Sequence, residues 1–202
     1  LPLEDPVYQA LLRYTRALAV ALGCRDPHTR IHSERVLGLC EAMGARAGLT
    51  ARERGILRIA ATFHDVGKIG IPDQILLKPA RLDEGETLAM RRHAELGAAI
   101  VLATELDGAG EVARAVRHHH EHFDGGGYPD GIAGEDIPAS ARIIGIADSY
   151  DAMAQARAYH RPRGHAEIMG ILHQETGRKH DPGLARIFQE VIERCEYRSV
   201  AD

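Results

Sequence analysis

Residues 26–47 read DPHTRIHSERVLGLCEAMGARA, and their spacing decides the fold class. Asp26 offers an N-cap oxygen, and Pro27 has the fixed φ that suits a first helical turn. From there His28, His32, Val36, Cys40, Met43 and Ala47 recur every three or four residues, so they share one helical face. The period of two that marks a half-buried strand is nearly absent along the chain.

Helical signals continue in both directions. Residues 6–22 form a stretch that Gly23 can close. Thr50 with Glu53 makes a capping box for a helix whose Ile56, Ile59, Ala60 and Phe63 face inward, and which runs out at His64-Asp65. Residues 66–82, with Gly67, Gly70, Pro72 and Pro79, are loop-like. Asp83 with Glu86 caps helical residues 84–103, with a break near His93. Further helices are predicted over 109–121, 139–159, 165–175 and, after Asp181-Pro182, 183–195; a glycine-rich loop covers 124–138. The expected fold is all-α, a compact helical bundle forming one domain over 1–202 with its core at about 10–195.

The bulk numbers agree. At 202 residues, 45% hydrophobic and only 4% aromatic, the chain can bury one core built mainly from aliphatic side chains. A net charge of −4 argues against binding a nucleic-acid polymer, which calls for a basic stripe. Cys24, Cys40 and Cys195 are too scattered for a disulfide framework or a thiolate zinc site, which favours reduced thiols and a cytoplasmic protein. No apolar run approaches the roughly 18–20 residues of a membrane span, and no signal-peptide pattern is present. The chain opens on Leu1, which leads us to expect the C-terminal part of a longer, regulated protein.

Residues 118–131, HHHEHFDGGGYPDG, make a poor core segment and a good binding rim. His64-Asp65-Val66-Gly67-Lys68 lies upstream, and Asp148-Ser149-Tyr150-Asp151 follows an apolar run. Each part alone has an ordinary reading. His64 suits a helix C-terminus with Asp65 solvated, His32 suits a hydrogen-bonded core histidine, and Gly-Tyr-Pro suits a surface turn. Asp148 beside Ile143-Ile144-Gly145-Ile146-Ala147 is expensive unless paired or metal-bound. Together with His93, His119 and His120 they outgrow those readings, because imidazoles and carboxylates gathered from separate segments are what a multinuclear metal site requires.

The chain resembles the HD-GYP phosphodiesterases of the HD-domain superfamily. The matching stretches are RDPHTRIHSERV at 25–36, HDVGKIGIPD at 64–73, LLKPARLDEGE at 76–86, MRRHAELGA at 90–98, HHEHFDGGGYPDGIAGEDIP at 119–138 and ARIIGIADSYDAM at 141–153. The resemblance implies a metal-ligand set of His32, His64, Asp65, His93, His119, His120 and Asp148, with Asp65 and Lys68 in the catalytic step. It places Lys68 and Arg157 at the substrate, with His160 where the family has lysine or arginine and Arg161 as its substitute, while Tyr128 and Pro129 after the three glycines are expected to wall the substrate site. His28 occupies a position that is tyrosine in many members and a ligating glutamate in the three-metal type, so it is a candidate third-metal ligand. His118 precedes the family's histidine pair and is expected behind the ligands or at the surface. Ala154-Gln155-Ala156 departs from the usual Thr-Ser pair.

The activity that this resemblance implies is that of a cytoplasmic enzyme hydrolysing cyclic di-GMP to linear pGpG and on to GMP. Two or three divalent ions serve it, iron first and manganese next. The chemistry is consistent: an anionic diester repels hydroxide and has a poor leaving group, and two metals about 3.5–4 Å apart answer both problems. Three alternatives stay open: an HD phosphohydrolase on another nucleotide, a domain that senses a cyclic dinucleotide, and one that docks on a partner, the last two with little turnover. A regulatory N-terminal domain, in keeping with a chain that opens on Leu1, and a homodimer are the further partners expected.

Overall fold

The computed structural model describes residue 13 and residues 20–25, 27–155 and 161–200, with the backbone alone for residues 27–30. Its helices are α1 (Pro27–Arg46), α2 (Ala51–Phe63), α3 (Asp73–Leu76), α4 (Glu84–Arg91), α5 (His93–Leu102), α6 (Ala109–His118), α7 (Ala139–Ala154), α8 (His165–Glu175) and α9 (Pro182–Ile192). An isolated bridge between Thr176 and His180 is the only β pairing among the described residues. The architecture is the expected all-α bundle, and among the described residues no helix is long and apolar enough to cross a membrane.

Helix α1 packs against α2 and α7, α2 also meets α6, and α5 lies along α6. Val36, Leu39 and Met43 of α1 meet Leu57 and Phe63 of α2 and Ile143, Ile144 and Tyr150 of α7 in one hydrophobic core. Each such side chain contributes about 1.5–3 kcal/mol on full burial. The stripe read from α1 is therefore the seam of the bundle, and it places His32, 7% exposed, at the open end of the core.

Local rules set several boundaries. Thr50 and Glu53 form a reciprocal capping box, as do Asp83 and Glu86. The helix expected over 84–103 is two helices that meet at Arg92, immediately before His93.

Four expectations need correction. Gly23 does not end the first helical stretch, because residues 20–25 run through it as helix. Residues 66–82 are not all loop: they hold a 3-10 turn at Val66–Gly70 and the short helix α3. The helix expected over 109–121 stops at His118, and Glu121 N donates to His118 O while Tyr128 N donates to His120 O. The glycine-rich loop thus takes carbonyls that a longer helix would use. Helix α7 ends at Ala154 with Gln155 extended, and residues 156–160 fall outside the described residues.

The turn at 66–70 lies hard against α5. A Cβ on Gly67 would sit 1.9 Å from His93 O and 2.5 Å from Gly97 N, so only glycine lets the two backbones come this close. That contact brings Asp65 and His93 to the same place.

Candidate metal centre

Five segments deliver side chains to one point. Helix α1 supplies His32, the end of α2 supplies His64 and Asp65, α5 begins with His93, the turn after α6 carries His119 and His120, and α7 carries Asp148. Adjacent residues in a continuous helix point about 100° apart. Ending α6 at His118 relaxes that constraint, and the His119 and His120 rings lie 3.9 Å apart.

The ligand atoms fall into two groups. Those of His32, His64 and Asp148 lie within 4.8 Å of one another, and those of His93, His119 and His120 do the same. Asp65 stands between the groups and faces them with different oxygens. Its Oδ2 is 3.6 Å from His64 Nε2 and 3.9 Å from His32 Nε2, while its Oδ1 is 3.6 Å from His93 Nε2. Asp148 Oδ1 is 3.0 Å from His32 Nε2, and its Oδ2 is 4.0 Å from His120 Nδ1.

Hydrogen bonds set the tautomers. Nδ1 of His64, His93 and His119 meets the carbonyl three residues back, Ala61, Met90 and Val116, at 2.7, 2.8 and 2.6 Å. A carbonyl only accepts, so each Nδ1 donates, and in the neutral ring each Nε2 turns a lone pair inward. His93 Nε2 and His119 Nε2 then face each other at 3.4 Å, and the buried His64 Nε2 has no hydrogen-bond partner. Lone pairs packed this closely repel unless a cation lies among them. The donor set therefore fits divalent metal ions, which neutral imidazole nitrogens and ionised carboxylates bind.

Electrostatics obey the same plan. Burial holds His93, His119 and His120 below the usual imidazole range, His120 at about 3. Burial pushes the carboxyl of Asp65 up, but Lys68, His64, His93 and His32 outweigh it and hold Asp65 well below the carboxylate range. Burial likewise opposes protonation of His32, and the carboxylates of Asp148 and Asp151 overcome it, raising His32 to about 9.

Asp151 is a residue that sequence reasoning missed. It is fully buried, accepts from His32 Nδ1 at 2.8 Å, and accepts from Arg35 Nε at 2.5 Å. A carboxylate behind a ligating histidine fixes its ring and raises its basicity. The available signal was its place three residues after Asp148, on the same side of the helix.

The other expected site residues divide. Lys68 Nζ donates to Asp65 Oδ2 at 2.6 Å. The Tyr128 ring stacks on His120 at 4.9 Å and 27°, with the Arg91 guanidinium 4.9 Å from its centroid, and Pro129 is the next residue in the same turn. His118 is buried rather than at the surface, and its Nε2 meets Asp130 Oδ2 at 2.8 Å. Glu121 Oε1 accepts from Asp130 N and Gly131 N, so these residues brace the glycine-rich loop. Arg161 is exposed and lies 3.7 Å from Glu167, with no contact to the cluster among the described residues. Arg157, His160 and the side chain of His28 lie outside the described residues.

Known proteins resemble this chain over most of its length. The family model described as HD domain matches residues 16–184. A probable cyclic di-GMP phosphodiesterase of Vibrio cholerae is 39% identical, over 92% of this chain and 45% of its own length. The cyclic di-GMP phosphodiesterase response regulator RpfG of Xanthomonas campestris is 38% identical, over 82% of this chain and 44% of its own length. A 3'3'-cGAMP-specific phosphodiesterase of Vibrio cholerae is also 38% identical, over 86% of this chain and 33% of its own length. The chain thus spans less than half the length of these relatives. Among solved structures, an HDG"Y"P protein of Bdellovibrio bacteriovorus shares the fold with a TM-score of 0.68 at 17% identity, over 94% of this chain and 66% of that one. By the matched family model and the motifs around its histidines, the chain belongs to the HD domain family and is of its HD-GYP type.

Proposed function

We propose that this domain is a metal-dependent phosphodiesterase that hydrolyses cyclic di-GMP to linear pGpG, with GMP as a further product. Its ligands are His32, His64, Asp65, His93, His119, His120 and Asp148, holding two divalent ions; imidazoles with carboxylates suit iron or manganese, and the HD-GYP resemblance puts iron first. The observation that carries this reading is the set of inward Nε2 atoms of His64, His93 and His119 beside the two oxygens of Asp65. His28 is a candidate for a third ion, which comparing metal content between the parent and His28→Ala tests directly. The reading also places the domain in the cytoplasm, with its three free cysteines reduced.

Divalent ions held by these residues would lower the pKa of a bound water and offset charge on the phosphoryl oxygens. The chain's own groups position the rest. Asp65 is able to serve both sets of ligands at once, one oxygen to each. Lys68, partly exposed beside it, offers an ammonium to a phosphoryl oxygen as charge develops. Tyr128 and Pro129 wall the site, and Arg157, with His160 and Arg161, grips the far phosphate or a guanine.

A mixed cyclic dinucleotide is a second reading, favoured by the relative named as 3'3'-cGAMP-specific. Protein loaded anaerobically with iron or manganese, assayed on both dinucleotides with Asp65→Ala as control, tests the proposal. Cyclic di-GMP turnover that Asp65→Ala abolishes is expected. Loaded protein with two metals per chain that binds cyclic di-GMP without hydrolysing it would overturn the proposal in favour of a sensing domain.

A further inference from the structure

The loop that carries Lys68 is held from outside the metal centre. Arg25, in the helical residues 20–25 that precede α1, sends its guanidinium into the concave side of residues 68–73. Nη1 donates to Ile69 O at 2.7 Å and to Lys68 O at 3.2 Å, Nη2 donates to Ile71 O, and Nε donates to Asp73 Oδ1 at 2.7 Å. These carbonyls belong to the last residues of the 3-10 turn and the residue that caps it. The side chain is 26% exposed, so part of this network is shielded from water.

We infer that Arg25 is a positioning residue for Lys68, tying the segment that enters the bundle to the loop beside the metal centre. Lys68 leaves the 3-10 turn with its ammonium 2.6 Å from Asp65 Oδ2, and its own carbonyl is one of those that Arg25 holds. The same turn also rests on α5 through Gly67. The turn is thus clamped both by α5, which begins with His93, and by a guanidinium from residues 20–25. A planar fork with five donors can meet three carbonyls and a carboxylate together; an ammonium cannot keep that geometry. A shift or rotation of residues 20–25 moves the Lys68 backbone through Arg25, which gives a change upstream of α1 a route to the ammonium without touching a metal ligand.

The catalytic consequence rests on the phosphodiesterase reading, and the clamp itself does not. Two measurements therefore go together: hydrogen exchange over residues 66–73, and steady-state kinetics on cyclic di-GMP for the parent, Arg25→Ala, Lys68→Ala and the double variant. We expect Arg25→Ala to speed exchange at Lys68 and Ile71, whose amides bond within the turn, by about 10-fold or more. We expect its kcat to fall about 10- to 100-fold with metal content unchanged. In the Lys68→Ala background, Arg25→Ala should lower kcat by less than about twofold, since the group it positions is gone. Arg25→Lys, a milder change should the alanine variant fold poorly, should recover only part of the kcat. Unchanged loop exchange in Arg25→Ala would overturn the clamp whatever the activity. An equal loss of kcat in both backgrounds, or full recovery by lysine, would overturn the link to Lys68. A loaded parent protein without turnover would sink the phosphodiesterase reading, and loop exchange would still decide the clamp.

Discussion

Replacing Asp151 by asparagine keeps the shape of a fully buried side chain and removes its charge. In the parent that carboxylate accepts from His32 Nδ1 at 2.8 Å and from Arg35 Nε at 2.5 Å. Arg35 retains its second contact, Nη2 to Tyr197 O at 2.9 Å, so the variant loses the charge and one of the two acceptor oxygens rather than its whole network. A carboxylate behind a ligating histidine is worth roughly 10- to 100-fold in metal affinity, or about 1.4–2.7 kcal/mol. That range agrees with about 1.5–3 kcal/mol for one hydrogen bond to a charged group. Protons make the effect visible in a second way. His32 in the metal-free protein holds its proton up to about 9, because Asp148 and Asp151 outweigh the effect of burial. A metal taking His32 Nε2 near neutral pH must displace that proton, so the parent should release nearly one proton per chain from this residue. Asp151→Asn should lower the pKa of His32 and release a smaller fraction. Titration calorimetry in two buffers of different ionisation enthalpy reads the protons, and competition with a chromophoric chelator reads the affinity. An Asp151→Asn protein that binds metal as tightly as the parent, with the same proton release, would refute the reasoning.

The same geometry sets two further outcomes. Gly67→Ala would place a methyl 1.9 Å from His93 O, so the turn must part from α5. Denaturant unfolding should show a loss of about 3 kcal/mol or more, with weaker metal binding, and near-parent stability would show that the close approach is dispensable. The pH dependence of the metal-free protein runs both ways. His32 binds its proton more tightly folded than unfolded, so its contribution is complete below about 6.5 and is lost as pH rises through about 9. His120 is held down to about 3, with His93 and His119 shifted the same way, so the unfolded chain takes up protons first and stability falls as pH drops below about 6.5. Thermal unfolding of metal-free protein should therefore peak near pH 6.5, and a midpoint that kept rising to pH 9 would contradict the His32 assignment.

Much of the fold was legible in the chain because its signals are local. A capping box joins residues three apart, and Thr50 with Glu53 and Asp83 with Glu86 start α2 and α4 where those pairs stand. The stripe from His32 through Val36, Cys40 and Met43 declared the buried face of α1, because burial of a helix repeats with its turn. Motif spacing then named seven metal-ligand candidates, which the fold brings into one cluster. Contacts between distant segments were not legible. Asp151 reaches His32 across 119 positions and Arg25 reaches Ile69 across 44, and neither pairing leaves a trace in local periodicity. The sequence by itself determined the helical class, the caps and the residue types able to bind metal, since these depend on neighbours within about four positions. The packing of the helices decided which nitrogen of each histidine faces inward, where α6 stops, and that Asp65 stands between two groups of ligands, because those outcomes depend on which backbone carbonyls and carboxylates lie behind each ring in three dimensions.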